Sequence, residues 1–262
     1  MTFEALLRGR NVADYAEFLI PHLAPGFFLL DVGCGGGSLS IGLAQHAGRV
    51  IGVDPNPGDF AGARQYALEQ GMTNIEFRSG NVYALEFPDD QFDACFCHSV
   101  LEALDRPLDA LQEIRRVLRP GGVVGLASVE YGGLILAGPH EPLLRRFYAI
   151  RERLWQIDAG ADPYRGRALR GLLKQAGFEG IVASSKYIAH GTDEAVQGFG
   201  IGRAEDCRDE WYASAAQKHG LATEADLEAM RQAWMEWAEA PSAYAAFAWC
   251  RAVAWKPEDE RL

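Results

Sequence analysis

Short runs of consecutive apolar residues alternate along the chain with stretches in which apolar residues return every three or four positions. The first pattern suits strands covered on both faces, and the second suits helices with one face buried. Strands are predicted near 27–32, 49–53, 75–79, 92–97 and 122–128, with helices between them, so the pattern implies a parallel sheet carrying helices on both faces. Val12, Tyr15, Phe18 and Leu19 outline an amphipathic opening helix that ends within 21–26. A helix over 108–118 stops at Arg119-Pro120-Gly121-Gly122, another over 168–176 closes on Gly177, and further strands follow at 180–188 and 247–255.

Two insertions depart from this order. The first, about 130–167, carries Tyr131, His140, Phe147, Tyr148, Trp155, Tyr164 and Arg165. The second, about 201–241, holds two helical patterns, the later one with Leu227, Met230, Trp234 and Trp237 at steps of three and four behind a Thr223/Asp226 capping box. That aromatic stripe reads first as packing against the body. Both insertions nevertheless follow strands whose carboxyl ends border the ligand crevice of an α/β sheet, where long segments are commonly functional. They are expected to form a helical lid over a mainly apolar substrate pocket, within a single domain spanning 1–262.

The chemistry concentrates in Leu29-Leu30-Asp31-Val32-Gly33-Cys34-Gly35-Gly36-Gly37-Ser38. Glycines at alternate positions permit positive φ and let a ligand approach the main chain. The helix opening after them points free N–H groups back at the loop, which favours an anionic group. A dinucleotide fingerprint fails at Ser38, where a glycine or alanine is required. A Walker loop is excluded because no Gly-Lys-Ser/Thr follows. Asp31 faces the same ligand and repels a pyrophosphate but holds an ammonium, so the ligand is read as a zwitterion.

With these features, residues 29–44 resemble motif I of the class I S-adenosylmethionine-dependent methyltransferases, and the later motifs follow in order. The resemblance implies S-adenosyl-L-methionine as cofactor and S-adenosyl-L-homocysteine as product. It implies that Gly33, Cys34, Gly35 and Gly37 cradle the methionine part, with Asp31 bearing on the amino group. Asp54, followed by Pro55 at the end of the second strand, matches the acid that accepts from the ribose hydroxyls. Asn81 stands where the family usually has an acid for the adenine amino group, and can still accept through its carbonyl oxygen. Val82 offers the neighbouring backbone N–H, and His98 lies where residues leaving the fourth strand border the cofactor. The family's architecture is a Rossmann-like three-layer α/β/α sandwich with a seven-stranded, mostly parallel sheet in the order 3-2-1-4-5-7-6, the last strand antiparallel. Within the family, the resemblance is to the small-molecule, quinone-biosynthesis-like group.

Methyl transfer mainly requires alignment of a nucleophile and exclusion of water. His98 is the candidate general base, since an ordinary imidazole titrates near neutrality; a structural histidine beside the cofactor is the competing reading. Glu102, Tyr131, His140, Tyr164 and Arg203 are further candidates without an assigned step, and Tyr131, His140, Tyr164 and Arg203 are the candidate acceptor contacts.

Composition narrows the partners. A net charge of −11, with no basic cluster beyond Arg115, Arg116 and Arg119, argues against nucleic acid and leaves a small-molecule acceptor. No apolar run reaches spanning length and no leader opens the chain, so integral membrane association is not expected. The five cysteines lack zinc-site spacing, and Cys95 and Cys97 share one face of a buried strand, so no metal is expected and a reducing cytoplasm fits. A monomer or a homodimer suits the chain equally. Two other functions remain open from sequence: a nicotinamide-dinucleotide oxidoreductase, and a non-catalytic S-adenosylmethionine-binding protein.

Overall fold

The first four strands form where they are expected: β1 (Phe28–Val32), β2 (Arg49–Asp54), β3 (Ile75–Ser79) and β4 (Phe92–His98). A computed structural model describes residues 10–258 apart from 57, 59 and 159. β1 is buried over Leu29–Val32 and β4 over most of its length, because helices cover both faces. With β5 (Leu118–Ala137), β6 (Glu179–His190) and β7 (Tyr244–Trp255) they make a seven-stranded sheet in the order β3-β2-β1-β4-β5-β7-β6. β1 pairs in parallel with β2 and β4, while β7 runs antiparallel between β5 and β6. This is the order that the family resemblance implies.

Among the described residues the helices are α1 (Val12–Tyr15), α2 (Ser38–Leu43), α3 (Phe60–Glu69), α4 (Pro107–Val117), α5 (Glu141–Asp158), α6 (Leu169–Gln175), α7 (Asp193–Asp206), α8 (Ala215–Lys218) and α9 (Glu224–Ala238). The opening helix is shorter than its periodicity suggests. Asn11 caps it through a bond from the Asp14 N–H, but Ala16 leaves the helical region at φ −131°, and Ile20–His22 form only a 3₁₀ turn around Pro21.

Two boundaries differ more informatively. β5 runs to Ala137 rather than stopping near 128, with a register shift between Glu130 and Ile135 before Ile135–Ala137 rejoin β7. The Gly132-Gly133 pair lies in a bulge beyond the expected strand end: a Cβ on Gly133 would lie 2.5 Å from the Ala248 Cβ. The first part of the first insertion is therefore sheet. Likewise α7 starts at Asp193 on a Thr192 cap, ahead of the insertion boundary near 201. A Cβ added at Gly200 would sit 2.7 Å from the Ala238 Cβ, so the glycine brings α7 and α9 together.

Two cores result. Leu30, Val32, Ile51, Cys95, Cys97, Leu111, Ile114, Val124 and Leu126 fill one layer between sheet and helices. A second core, built from the inserted helices, gathers Leu144, Phe147, Tyr148, Tyr212, Met230, Trp234 and Trp237 over the far end of β5 and β7. The stripe on α9 is packed, and the Thr223/Asp226 capping box forms.

Candidate active site

The loop after β1 owes its shape to what surrounds it. Gly33, Gly35 and Gly37 all take positive φ, at 75°, 52° and 81°. The Gly33 and Cys34 N–H groups both donate to the Val53 carbonyl, at 2.8 and 3.0 Å, which lays the loop across the end of β2. A Cβ on Gly37 would meet the Phe77 ring at 2.5 Å, whereas one on Gly35 would meet nothing within 4 Å. Gly35 thus presents an open backbone face. Gly37→Ala is expected to cost about 2–4 kcal/mol, from the left-handed backbone plus the ring clash, against about 1–2 kcal/mol for Gly35→Ala. Urea unfolding measures both, and equal losses would show that the ring contact is not the cause.

Asp54 ends β2 and ties the loop from the other side. Its carboxylate accepts from the Gly35 N–H at 3.0 Å and from the Asn56 N–H at 2.9 Å, with Pro55 exposed in the turn between. A carboxylate has about four acceptor sites, so two bonds leave capacity for a ligand's hydroxyls. The exit of β3 lies alongside, since the Gly80 N–H donates to the Asp54 carbonyl at 3.1 Å. Asn81 is exposed there, its side-chain oxygen accepting from the Tyr83 N–H at 3.0 Å, and Val82 packs on the core.

Beneath the loop, Asp31 is buried and accepts a 2.5 Å bond from the Ser40 hydroxyl on α2. Burial pushes its carboxyl up to about 7, against the pull of Ser40. Cys34 flanks it, and burial raises that thiol too. Asp31, Gly33, Cys34, Gly35, Ser38 and His98 line one cavity of about 160 Å³, together with Arg10.

His98 ends β4 on the wall of this cavity, its ring stacked on Trp249 at 4.6 Å and edge-on to Tyr15 at 5.1 Å. Burial holds its imidazole down at about 3, helped by the charge of Arg10, and its Nε2 has no hydrogen-bond partner. The expectation of a group titrating near neutrality is therefore corrected: His98 is a neutral, weakly basic ring. Glu102 follows, also buried, accepting from the Ser128 hydroxyl at 2.7 Å, and burial raises its carboxyl.

The four candidate acceptor contacts divide. Tyr131 and Arg203 meet in the second core, where Tyr131 packs against Trp155 and Phe247 and Arg203 lies over Phe199. His140 instead caps the start of α5, accepting from Leu143 and Leu144, and its exposed ring meets Glu236 at 2.6 Å. Tyr164 bonds the Glu152 carboxylate beneath the Arg167 guanidinium. Neither His140 nor Tyr164 is brought into the aromatic group around Tyr131. Ser40, Trp249 and Arg151 escaped sequence reasoning; only Ser40 left a signal there, as a polar residue on the buried face of a short helix.

Residues 30–126 match the family model described as "Methyltransferase domain". The chain is 29% identical to a probable methyltransferase, ltbC, of Aspergillus luteorubrus, over 94% of this chain and 92% of that one. It is 35% identical to a ubiquinone biosynthesis O-methyltransferase of Leptothrix cholodnii, over 40% of this chain and 45% of that one. Among solved structures, the YcgJ protein of Bacillus subtilis superposes with a TM-score of 0.60 at 17% identity, over 92% of this chain and 97% of that one. Residues 30–126 are a methyltransferase domain, and the sheet order and the glycine loop are those that the resemblance to class I S-adenosylmethionine-dependent methyltransferases implies. Among the described residues no helix is long and apolar enough to cross a membrane, and no group of three or more metal-ligating side chains converges.

Proposed function

We propose that this enzyme methylates a small, partly apolar acceptor by in-line displacement, with the donor lying over the glycine loop and the acceptor under the inserted helices. The observation that carries this reading is the juxtaposition of Asp31, the open face of Gly35 and the Asp54 carboxylate along one edge of the sheet. These groups fit a zwitterion joined to a ribose: Asp31 for the ammonium, the loop backbone for the carboxylate, Asp54 for the vicinal hydroxyls. Asn81 and Val82 stand where an adenine edge would end. S-adenosylmethionine, when bound, supplies a strongly electrophilic methyl group.

The protein's own contribution is then orientation and dryness. Trp249, Tyr15 and Phe96 pack around the His98 ring and bury it. The second core covers the neighbouring end of the sheet, which supports reading the inserted helices as the lid. A neutral His98 can accept a hydrogen bond from an acceptor hydroxyl through its unpartnered Nε2, but at about 3 it is a poor base. His98→Ala is therefore expected to lower kcat by about tenfold or less, the scale of one lost neutral hydrogen bond, without moving the pH profile. Loss of an ionisation from that profile would restore the general-base role.

Incubation with S-adenosylmethionine and a panel of phenols, carboxylic acids and amines, followed by assay for S-adenosylhomocysteine and a methylated product, tests the reading. Acceptor-dependent release of the product supports it. Tight donor binding with no transfer to any acceptor class would favour a binding protein instead.

A further inference from the structure

The second core contains a polar centre that packing alone does not explain. Three buried donors there have no hydrogen-bond partner: Arg151 Nε, Arg203 Nε and Trp234 Nε1. The Tyr148 hydroxyl lies beside Arg203 and can donate as well. Their side chains form a continuous ring. Arg151 lies beside Tyr131, whose ring is 6.1 Å from Tyr148; Tyr148 is 6.1 Å from Trp234, Trp234 is 5.8 Å from Phe199, and Arg203 covers Phe199 at 5.5 Å. Among the described residues, the carboxylate that meets both arginines is Asp206, at 3.0 Å from Arg151 Nη1 and 3.2 Å from Arg203 Nη1. Two cations share one anion. Buried donors left unmade are costly, and a guanidinium's unused edge is shaped for a carboxylate.

The centre also lies in register with the donor site. Phe247 and Trp249 project from the same face of β7, about 7 Å apart along the strand. Phe247 touches Tyr131 and Tyr148, and Trp249 stacks on His98 at the wall of the glycine-loop cavity. A molecule with an acidic end among the arginines and an apolar or aromatic body along Phe247 and Trp249 would bring its other end beside His98.

We propose that Arg151 and Arg203, with the Tyr148 hydroxyl and the Trp234 indole, bind a carboxylate of the acceptor, making this enzyme specific for small aromatic or apolar acids. The inference rests on the methyl-transfer reading and specifies its acceptor class. Asp206 holds the two guanidinium groups in place and leaves their Nε edges for the ligand. The aromatic ring excludes water, which strengthens the ion pair and rejects neutral analogues, whose binding would leave a positive charge without its anion.

The test uses the full chain saturated with S-adenosylhomocysteine, titrated with benzoate and with benzamide while tryptophan fluorescence is followed, since Trp155 and Trp234 border the site. Benzoate is expected to saturate and to bind at least about tenfold more tightly than its neutral isostere. Arg151→Met and Arg203→Met should each remove that preference, Arg203→Lys should retain part of it, and all three should bind S-adenosylhomocysteine within about twofold of the parent. Equal affinities for acid and amide, an absence of saturable benzoate binding, or unchanged benzoate affinity in both methionine variants would overturn the proposal. Failure of the parent chain to bind S-adenosylhomocysteine would instead overturn the donor site on which it rests.

Discussion

Replacement of Asp31 by asparagine is expected to weaken S-adenosylmethionine binding by about a hundredfold at pH 8, in the range for removing one partner of a buried charge pair. The same change is expected to stabilise the ligand-free protein. Both effects come from one buried carboxyl. In the unfolded chain it releases its proton near 3.8, while in the folded protein burial keeps the proton on up to about 7. Between those values the native state binds more protons than the unfolded state, so this group's contribution to stability is lost as the pH rises through the window. Asparagine never ionises and can still accept from Ser40, so Asp31→Asn removes that loss. Binding runs the other way. An ammonium ligand pairs with the ionised form, so affinity of the parent should climb from pH 5.5 towards 7 and level off above it, and the variant should lack the climb. Thermal melts and calorimetry across that range check the two trends together. An affinity that falls with rising pH, or a variant that binds as the parent does, would separate Asp31 from the donor's amino group.

Trp237→Ala is expected to cost about 3–5 kcal/mol, the range for deleting a fully buried aromatic. Trp237 is completely enclosed on α9, touching Phe199 and Trp234, and its indole donates to the Ala137 carbonyl at 2.8 Å. It therefore binds the inserted helices to the end of β5. The alanine variant leaves a cavity and also strips the Ala137 carbonyl of its partner. Trp237→Phe keeps most of the volume and should lose about 1 kcal/mol, the scale of one hydrogen bond. Urea unfolding of the two variants separates packing from the bond, and a loss under about 1 kcal/mol in the alanine variant would mean that the second core contributes little to the fold.

The sheet was legible because its central strands are continuous apolar runs bounded by glycine, proline or acids. What escaped was glycine used for packing rather than for turning. Gly132 and Gly133 form a bulge within β5 beyond the strand end expected near 128, and Gly200, just ahead of the insertion expected from 201, is the contact between α7 and α9. The residues of the first loop and Asp54 come together as their contiguous motifs lead one to expect, since the spacing within those motifs carries the geometry. Burial was not legible. The low pKa of His98 depends on Trp249 and Tyr15, which arrive from β7 and α1. The acceptor end is the harder case. Arg151 belongs to no motif in the sequence, and only the fold shows that, from α5, it shares Asp206 with Arg203 on α7.

The most direct test of the donor site is a calorimetric titration of the full chain with S-adenosylmethionine and, separately, with NAD at pH 8. The geometry of Asp31, the glycine loop and Asp54 predicts saturable one-to-one binding of S-adenosylmethionine, weakened in Asp31→Asn, and no measurable binding of NAD. Binding of NAD in preference to S-adenosylmethionine would contradict it.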